Sequence, residues 1–136
     1  TVLSEGRGTH KQFQLYGHPD LPDKGFSFTP EPLPGAKYPK LEGQLCYGTD
    51  LTEIPMDTII NQGFNLGYIL EAYRDFPDKS SFFLKSNFFE KLAGGESLRK
   101  QIIAGKTEQE IRDSWQPALG EYLTMRKKYL LYADFD

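Results

Sequence analysis

Asp57-Thr58-Ile59-Ile60-Asn61-Gln62-Gly63-Phe64-Asn65-Leu66-Gly67-Tyr68-Ile69-Leu70-Glu71-Ala72-Tyr73 is where the chain changes character. Ile59, Gly63, Leu66, Leu70 and Tyr73 fall on one face at helical spacing, with Ile60, Phe64 and Gly67 beside them. Asp57 or Thr58 is placed to cap the start, and Pro77 to end the run. The spacing predicts one helix, with Gly63 and Gly67 leaving a shallow strip for close packing. Everything before this stretch reads differently. Thr1–Glu5, Phe13–Tyr16, Phe26–Thr29 and Gly43–Leu51 are short strand candidates separated by glycine and proline. Pro30, Pro32 and Pro34 force a stiff extended connection between the last two.

Downstream the helical signals continue. Ser80–Leu84 is ambiguous, with an extended segment favoured. Asn87–Leu92, closed by Gly94-Gly95, and Ser97–Ala104, closed by Gly105, are short helix candidates. Thr107-Glu108-Gln109-Glu110 is a capping box opening the last helix, followed by Ile111, Trp115, Leu119, Tyr122, Arg126 and Tyr129 on one face. Pro117 removes a ladder donor, so a kink or break is expected near Gln116. Tyr129-Leu130-Leu131-Tyr132 is too apolar for a frayed tail and is expected to dock on the core. Strands first and helices after predict an α+β fold: a small, mostly antiparallel sheet from the first half, with the second-half helices packed on one face. Trp115, Tyr122, Tyr129, Phe64 and Leu70 are the expected buried residues of those helices.

With 136 residues, 38% of them hydrophobic and 14% aromatic, the chain fits a single domain with a real core. A net charge of −3 argues against a nucleic-acid partner. Cys46 is alone, which excludes an internal disulfide and a thiolate zinc site built from this chain. His10 and His18 have no third ligand in view, so no metal and no cofactor is expected. No apolar run is long enough for a membrane-spanning helix. Neither a Gly-x-Ser-x-Gly elbow nor a Walker loop is present. Carboxylates crowd the loop-rich half (Glu5, Asp20, Asp23, Glu31, Asp50, Glu53), and a hydrolytic pair among them is one reading, solvated turns the plainer one.

The candidate site is Ser4-Glu5-Gly6-Arg7-Gly8-Thr9. Two glycines let bare backbone approach a partner while the guanidinium of Arg7 projects, a fork suited to a carboxylate or phosphate. The alternative is a surface turn whose arginine is solvated, and the turn alone favours that alternative.

Several stretches, taken in order, resemble one family. They are the Ser4–Thr9 turn, Gly17-His18-Pro19, Phe28-Thr29-Pro30, Leu33-Pro34-Gly35-Ala36, Gly43–Gly48, Leu98–Ile102, Trp115-Gln116-Pro117 and Arg126–Tyr132. Together they are similar to the C-terminal domain of bacterial peptidoglycan exo-β-N-acetylmuramidases. The resemblance implies that residues 1–136 are one domain, the accessory part of a two-domain protein whose N-terminal Rossmann-like domain is absent here. It implies release of N-acetylmuramic acid from the non-reducing ends of peptidoglycan fragments, with the catalytic glutamate in the absent domain, so no catalytic residue is expected in this chain. It implies partners in those fragments and in the N-terminal domain, and a bacterial cell-envelope location, periplasmic or secreted. Substrate contact is expected from Arg7, Thr9, Glu5 and Tyr47, along a cleft between the domains. Arg7 would face the lactyl carboxylate of muramic acid. The competing reading is a non-catalytic glycan-binding or interaction module, in which Tyr16, Tyr38 and Tyr47 would form an exposed platform for sugar rings.

Overall fold

The computed structural model describes residues 1–134. Three short strands form an antiparallel sheet in the order β1-β3-β2: β1 (Leu15–His18), β2 (Ser27–Phe28) and β3 (Cys46–Asp50). β3 is central, with Leu15 opposite Asp50 and His18 opposite Tyr47 on one side, and Ser27 opposite Tyr47 on the other. The expected strand at Thr1–Glu5 contracts to a single bridge, Ser4 with Gly17. Gly17 and Gly48 are register partners, and a Cβ at Gly48 would lie 1.8 Å from the Tyr16 carbonyl oxygen. The two strands meet there only because neither residue has a side chain.

Among the described residues five α-helices follow: α1 (Met56–Gln62), α2 (Gly67–Asp75), α3 (Phe88–Ala93), α4 (Ser97–Ile103) and α5 (Glu108–Arg126). The fold is α+β, as the order of sequence signals predicts. The single helix expected from Asp57 to Pro77 is two. Gly63 adopts φ 57°, ψ −135°, a left-handed conformation open mainly to glycine. The side chain of Asn65 then accepts from the Gly67 amide at 2.7 Å, and Glu108 of α5 accepts from the Leu66 amide at 3.3 Å. A break with its own cap outcompetes continuation of the ladder. The N-cap of α1 is Pro55, so neither Asp57 nor Thr58 caps it.

α5 starts on the expected capping box. Thr107 Oγ1 accepts from the Glu110 amide, and Glu110 accepts from the Thr107 amide at 2.8 Å. The helix runs through Pro117 without the expected break. Pro117 and Asp113, whose carbonyl loses its donor, are both exposed, so the carbonyl is open to solvent rather than left without a partner in a core.

The sheet has two covered faces. Tyr16 and Tyr47 face α2 and meet a core of Leu21, Ala72, Phe76 and Phe82. A second core joins Leu66, Ile102 and Ile111, tying α2 to α4 and α5. Ile69, Tyr73 and Phe83 contact both. Phe76, Phe82, Phe83 and Phe89 pass edge-to-face contacts from one core to the other. Segment 80–84, ambiguous in sequence with an extended path favoured, is instead a series of turns and bends that inserts Phe82 into the centre. The opposite sheet face, carrying Leu15, is covered by the loops of the first half, with Gly6 directly over the Leu15 side chain.

Burial differs from expectation in the second half of the chain. Trp115 and Leu70 are half-buried against the second core. Phe64, Tyr122 and Tyr129 are exposed, and so are Leu131 and Tyr132, so the tail does not dock on this domain.

Candidate functional site

The loop at Ser4–Thr9 is built on the sheet. Ser4 is buried and exchanges both backbone hydrogen bonds with Gly17, at 2.9 and 3.1 Å. Its hydroxyl accepts from the Gly6 amide at 3.3 Å. From this anchor the chain turns sharply, with Gly6 at φ 81° and Gly8 at φ 83°. The Gly6 carbonyl accepts from both the amide and the hydroxyl of Thr9, at 3.1 and 2.7 Å. Thr9 Oγ1 in turn accepts from the Lys11 amide at 3.0 Å. On the far side, the Glu31 amide donates to the Gly8 carbonyl at 2.8 Å, fixing the proline-rich segment against the loop. A Cβ at Gly8 would lie 2.7 Å from the Glu31 carbonyl oxygen and from the Pro39 ring. The second glycine therefore serves the close approach of two loops.

Arg7 stands at the tip, its side chain 55% exposed. Its Nε is 3.6 Å from Glu5 Oε1, and its guanidinium lies 5.3 Å from the centre of the Phe13 ring. Glu5 is shared: Lys40 Nζ reaches Glu5 Oε2 at 3.1 Å and donates to the Leu3 carbonyl at 2.7 Å. The result is two cations around one carboxylate, with aromatic surface under one of them. An exposed guanidinium held by a single long contact keeps most of its donors for a ligand.

The candidates fall in two places. Glu5, Arg7 and Thr9 are together on one loop, with the Thr9 hydroxyl already committed to the turn. Tyr47 is half-buried beside the first core, on the sheet face turned to α2. Tyr16 packs there too, whereas Tyr38 is exposed on the loop that meets Gly8. The three tyrosines therefore make no shared platform. Lys40 and Phe13, which complete the loop's surroundings, carry no local sequence signal. Lys40 is 35 residues from Glu5 and arrives only because segment 31–40 folds over Gly8.

Other reactive groups are occupied structurally. His18 Nδ1 accepts from the Asp20 amide at 3.1 Å, its ring meets Phe76 edge-on, and burial lowers its pKa. Burial pushes the Cys46 thiol up to about 11. Lys11 binds Asp50 at 2.6 Å and Thr52 at 2.9 Å. The contact with Lys11, with help from Thr52, holds the Asp50 carboxyl down to about 2. Among the described residues, no three His, Cys, Asp or Glu side chains are grouped to hold a metal ion. No described helix is long and apolar enough to cross a membrane. An open groove of about 670 Å³ lies between α2 and the α4–α5 turn. Of the three basic groups lining it, Lys79 is spent on the Arg74 and Phe76 carbonyls, Arg74 is paired with Asp75, and Lys106 stands at the α4–α5 turn.

The family model described as exo-beta-N-acetylmuramidase NamZ, C-terminal, matches residues 1–132. The peptidoglycan beta-N-acetylmuramidase NamZ of Bacillus subtilis (strain 168) is 32% identical over 97% of this chain and 34% of its own. A crystal structure of a DUF1343 family protein from Bacteroides fragilis superposes with a TM-score of 0.89 at 39% identity, over 99% of this chain and 38% of that one. The chain thus spans a little over a third of the length of the relatives it matches.

Proposed function

The chain belongs to the exo-beta-N-acetylmuramidase NamZ C-terminal family, and on that footing we propose that it is the accessory domain of a peptidoglycan-degrading glycoside hydrolase. In this reading an N-terminal Rossmann-like domain supplies the catalytic glutamate, and residues 1–136 supply one wall of the cleft between the two. The substrate is a peptidoglycan fragment ending in N-acetylmuramic acid, and the setting is the bacterial cell envelope, periplasmic or secreted. The observation that carries the reading is the family match over residues 1–132, which includes the Arg7 loop.

The geometry supports particular roles. Arg7 binds the lactyl carboxylate, the charged group that distinguishes muramic acid from N-acetylglucosamine, through a planar fork of donors. Glu5, held by Lys40, aims the guanidinium. Thr9 fixes the loop rather than spending its hydroxyl on substrate. Tyr47 enters through its register with His18 in the sheet that carries the loop, not as a sugar platform.

Residues 1–136 alone are expected to release no N-acetylmuramic acid, because general acid or base chemistry at the glycosidic bond is assigned to the other domain. An assay of the purified fragment on a muramyl-glucosaminide decides this. Turnover by the fragment overturns the reading and returns attention to the carboxylates of the first half.

A further inference from the structure

α5 is anchored only at its beginning. Ile111 is its one buried residue, and Trp115 is half-buried beside it. From Gln116 to Arg126 no side chain is buried, which leaves about 15 Å of helix standing away from the core at 1.5 Å per residue. This part of the helix is not polar. Leu119, Tyr122 and Leu123 continue the Trp115 stripe, and all three are exposed. At the helix end, Arg126 grips Asp134 through both carboxylate oxygens at 2.7 Å. That pair folds the tail back on the helix end and leaves Tyr129, Leu131 and Tyr132 at 74%, 90% and 87% exposure. An unpacked helical arm of this length is marginal in water, and most helical stability comes from burying an apolar stripe. A contiguous apolar patch of this kind marks a contact surface.

We propose that this arm, from Leu119 to Tyr132, is the surface on which the remainder of the parent polypeptide docks. Length selects that occupant. The Bacteroides fragilis structure contains the same fold over 99% of this chain, and this fold accounts for only 38% of it. The matched region is likewise only 34% of the Bacillus subtilis relative, so most of that protein lies outside it. The arm would clamp the accessory domain to the other part of the chain and hold the Arg7 loop at a fixed orientation to it. This rests on the reading that the chain is part of a longer enzyme, and adds the surface that joins the parts.

The test uses the complete parent polypeptide. Hydrogen exchange is expected to be at least about tenfold slower at residues 116–126 than in an unstructured peptide of that sequence. The double variant Leu119→Glu, Tyr122→Glu should abolish that protection and open the junction between the two parts to protease. Thr124→Glu, on the other side of the helix, should leave both unchanged. Far-UV circular dichroism and protection at Phe82 report whether each variant stays folded. Unprotected arm amides in a complete chain that still releases N-acetylmuramic acid overturn this inference and leave the functional reading standing. Protection that disappears on dilution, with a halved mass in solution, assigns the arm to a second copy and overturns it too. A gene encoding only these residues removes the functional reading and the inference together.

Discussion

Arg7 and Glu5 are two residues apart and 3.6 Å apart, yet the arginine is not consumed by the contact. Glu5 also receives Lys40 at 3.1 Å, so its charge is shared between two cations. An exposed pair of this kind contributes little to stability, typically below about 1 kcal/mol. It orients the guanidinium instead, with the Phe13 ring beneath it.

The loop that presents Arg7 depends on Gly8. Substitution Gly8→Ala places a methyl 2.7 Å from the Glu31 carbonyl oxygen and the Pro39 ring, at a φ of +83° that L residues avoid. Strain and overpacking together should cost at least about 2 kcal/mol, read as a lowered urea midpoint. A variant as stable as the parent protein would show that the proline-rich segment is not seated against this loop.

Phe82 is fully buried although it lies in neither helix nor strand, and its ring contacts Tyr73, Phe76 and Phe83. Phe82→Ala should destabilise the domain by about 3–5 kcal/mol. Tyr132→Ala in residues 1–136 should change stability by no more than about 0.5 kcal/mol, since that ring is already in water. Chemical denaturation of the two variants gives the comparison. Equal losses would contradict the placement of the core.

Asp50 provides a pH signature. Its folded-state carboxyl is held at about 2 against an ordinary 3.8, chiefly by Lys11 and then by Thr52. A depressed folded pKa contributes stability that is present above the unfolded value and lost as pH falls through the folded one. The stability difference between the protein and Asp50→Asn should therefore be constant near neutrality and shrink between about pH 4 and pH 2. Denaturation midpoints over that range test it, and a gap that stays constant to pH 2 contradicts the Lys11 contact.

What was legible in the sequence was local. The capping box of Thr107 and Glu110 lies within four residues and formed as expected. Gly94 and Gly105, both in left-handed conformations, close their helices where the sequence places them. The Gly63–Asn65 break was also written locally, but the apolar period running through it was the stronger signal. The misplaced burial has a different cause. Helical periodicity identifies a face to be covered without identifying the cover, so Tyr122 and Tyr129 read as core though both are exposed. At the site, the Gly-Arg-Gly turn was visible, whereas Lys40 and Phe13 depended on backbone paths that no local pattern encodes.

The proposed contact between Arg7 and the lactyl carboxylate is measured in kcat/KM of the complete enzyme on paired substrates. A charge-assisted hydrogen bond is typically worth about 1.5–3 kcal/mol, so Arg7→Ala should lower kcat/KM on a muramyl substrate by about ten- to a hundredfold. Arg7→Lys should recover part of the loss, keeping the charge without the fork. The variant should also lose preference for muramic acid over the corresponding N-acetylglucosamine substrate, while its urea midpoint stays within about 1 kcal/mol of the parent. Equal slowing on both substrates, or loss of the fold, would contradict the claim and make Arg7 a structural residue of its own loop.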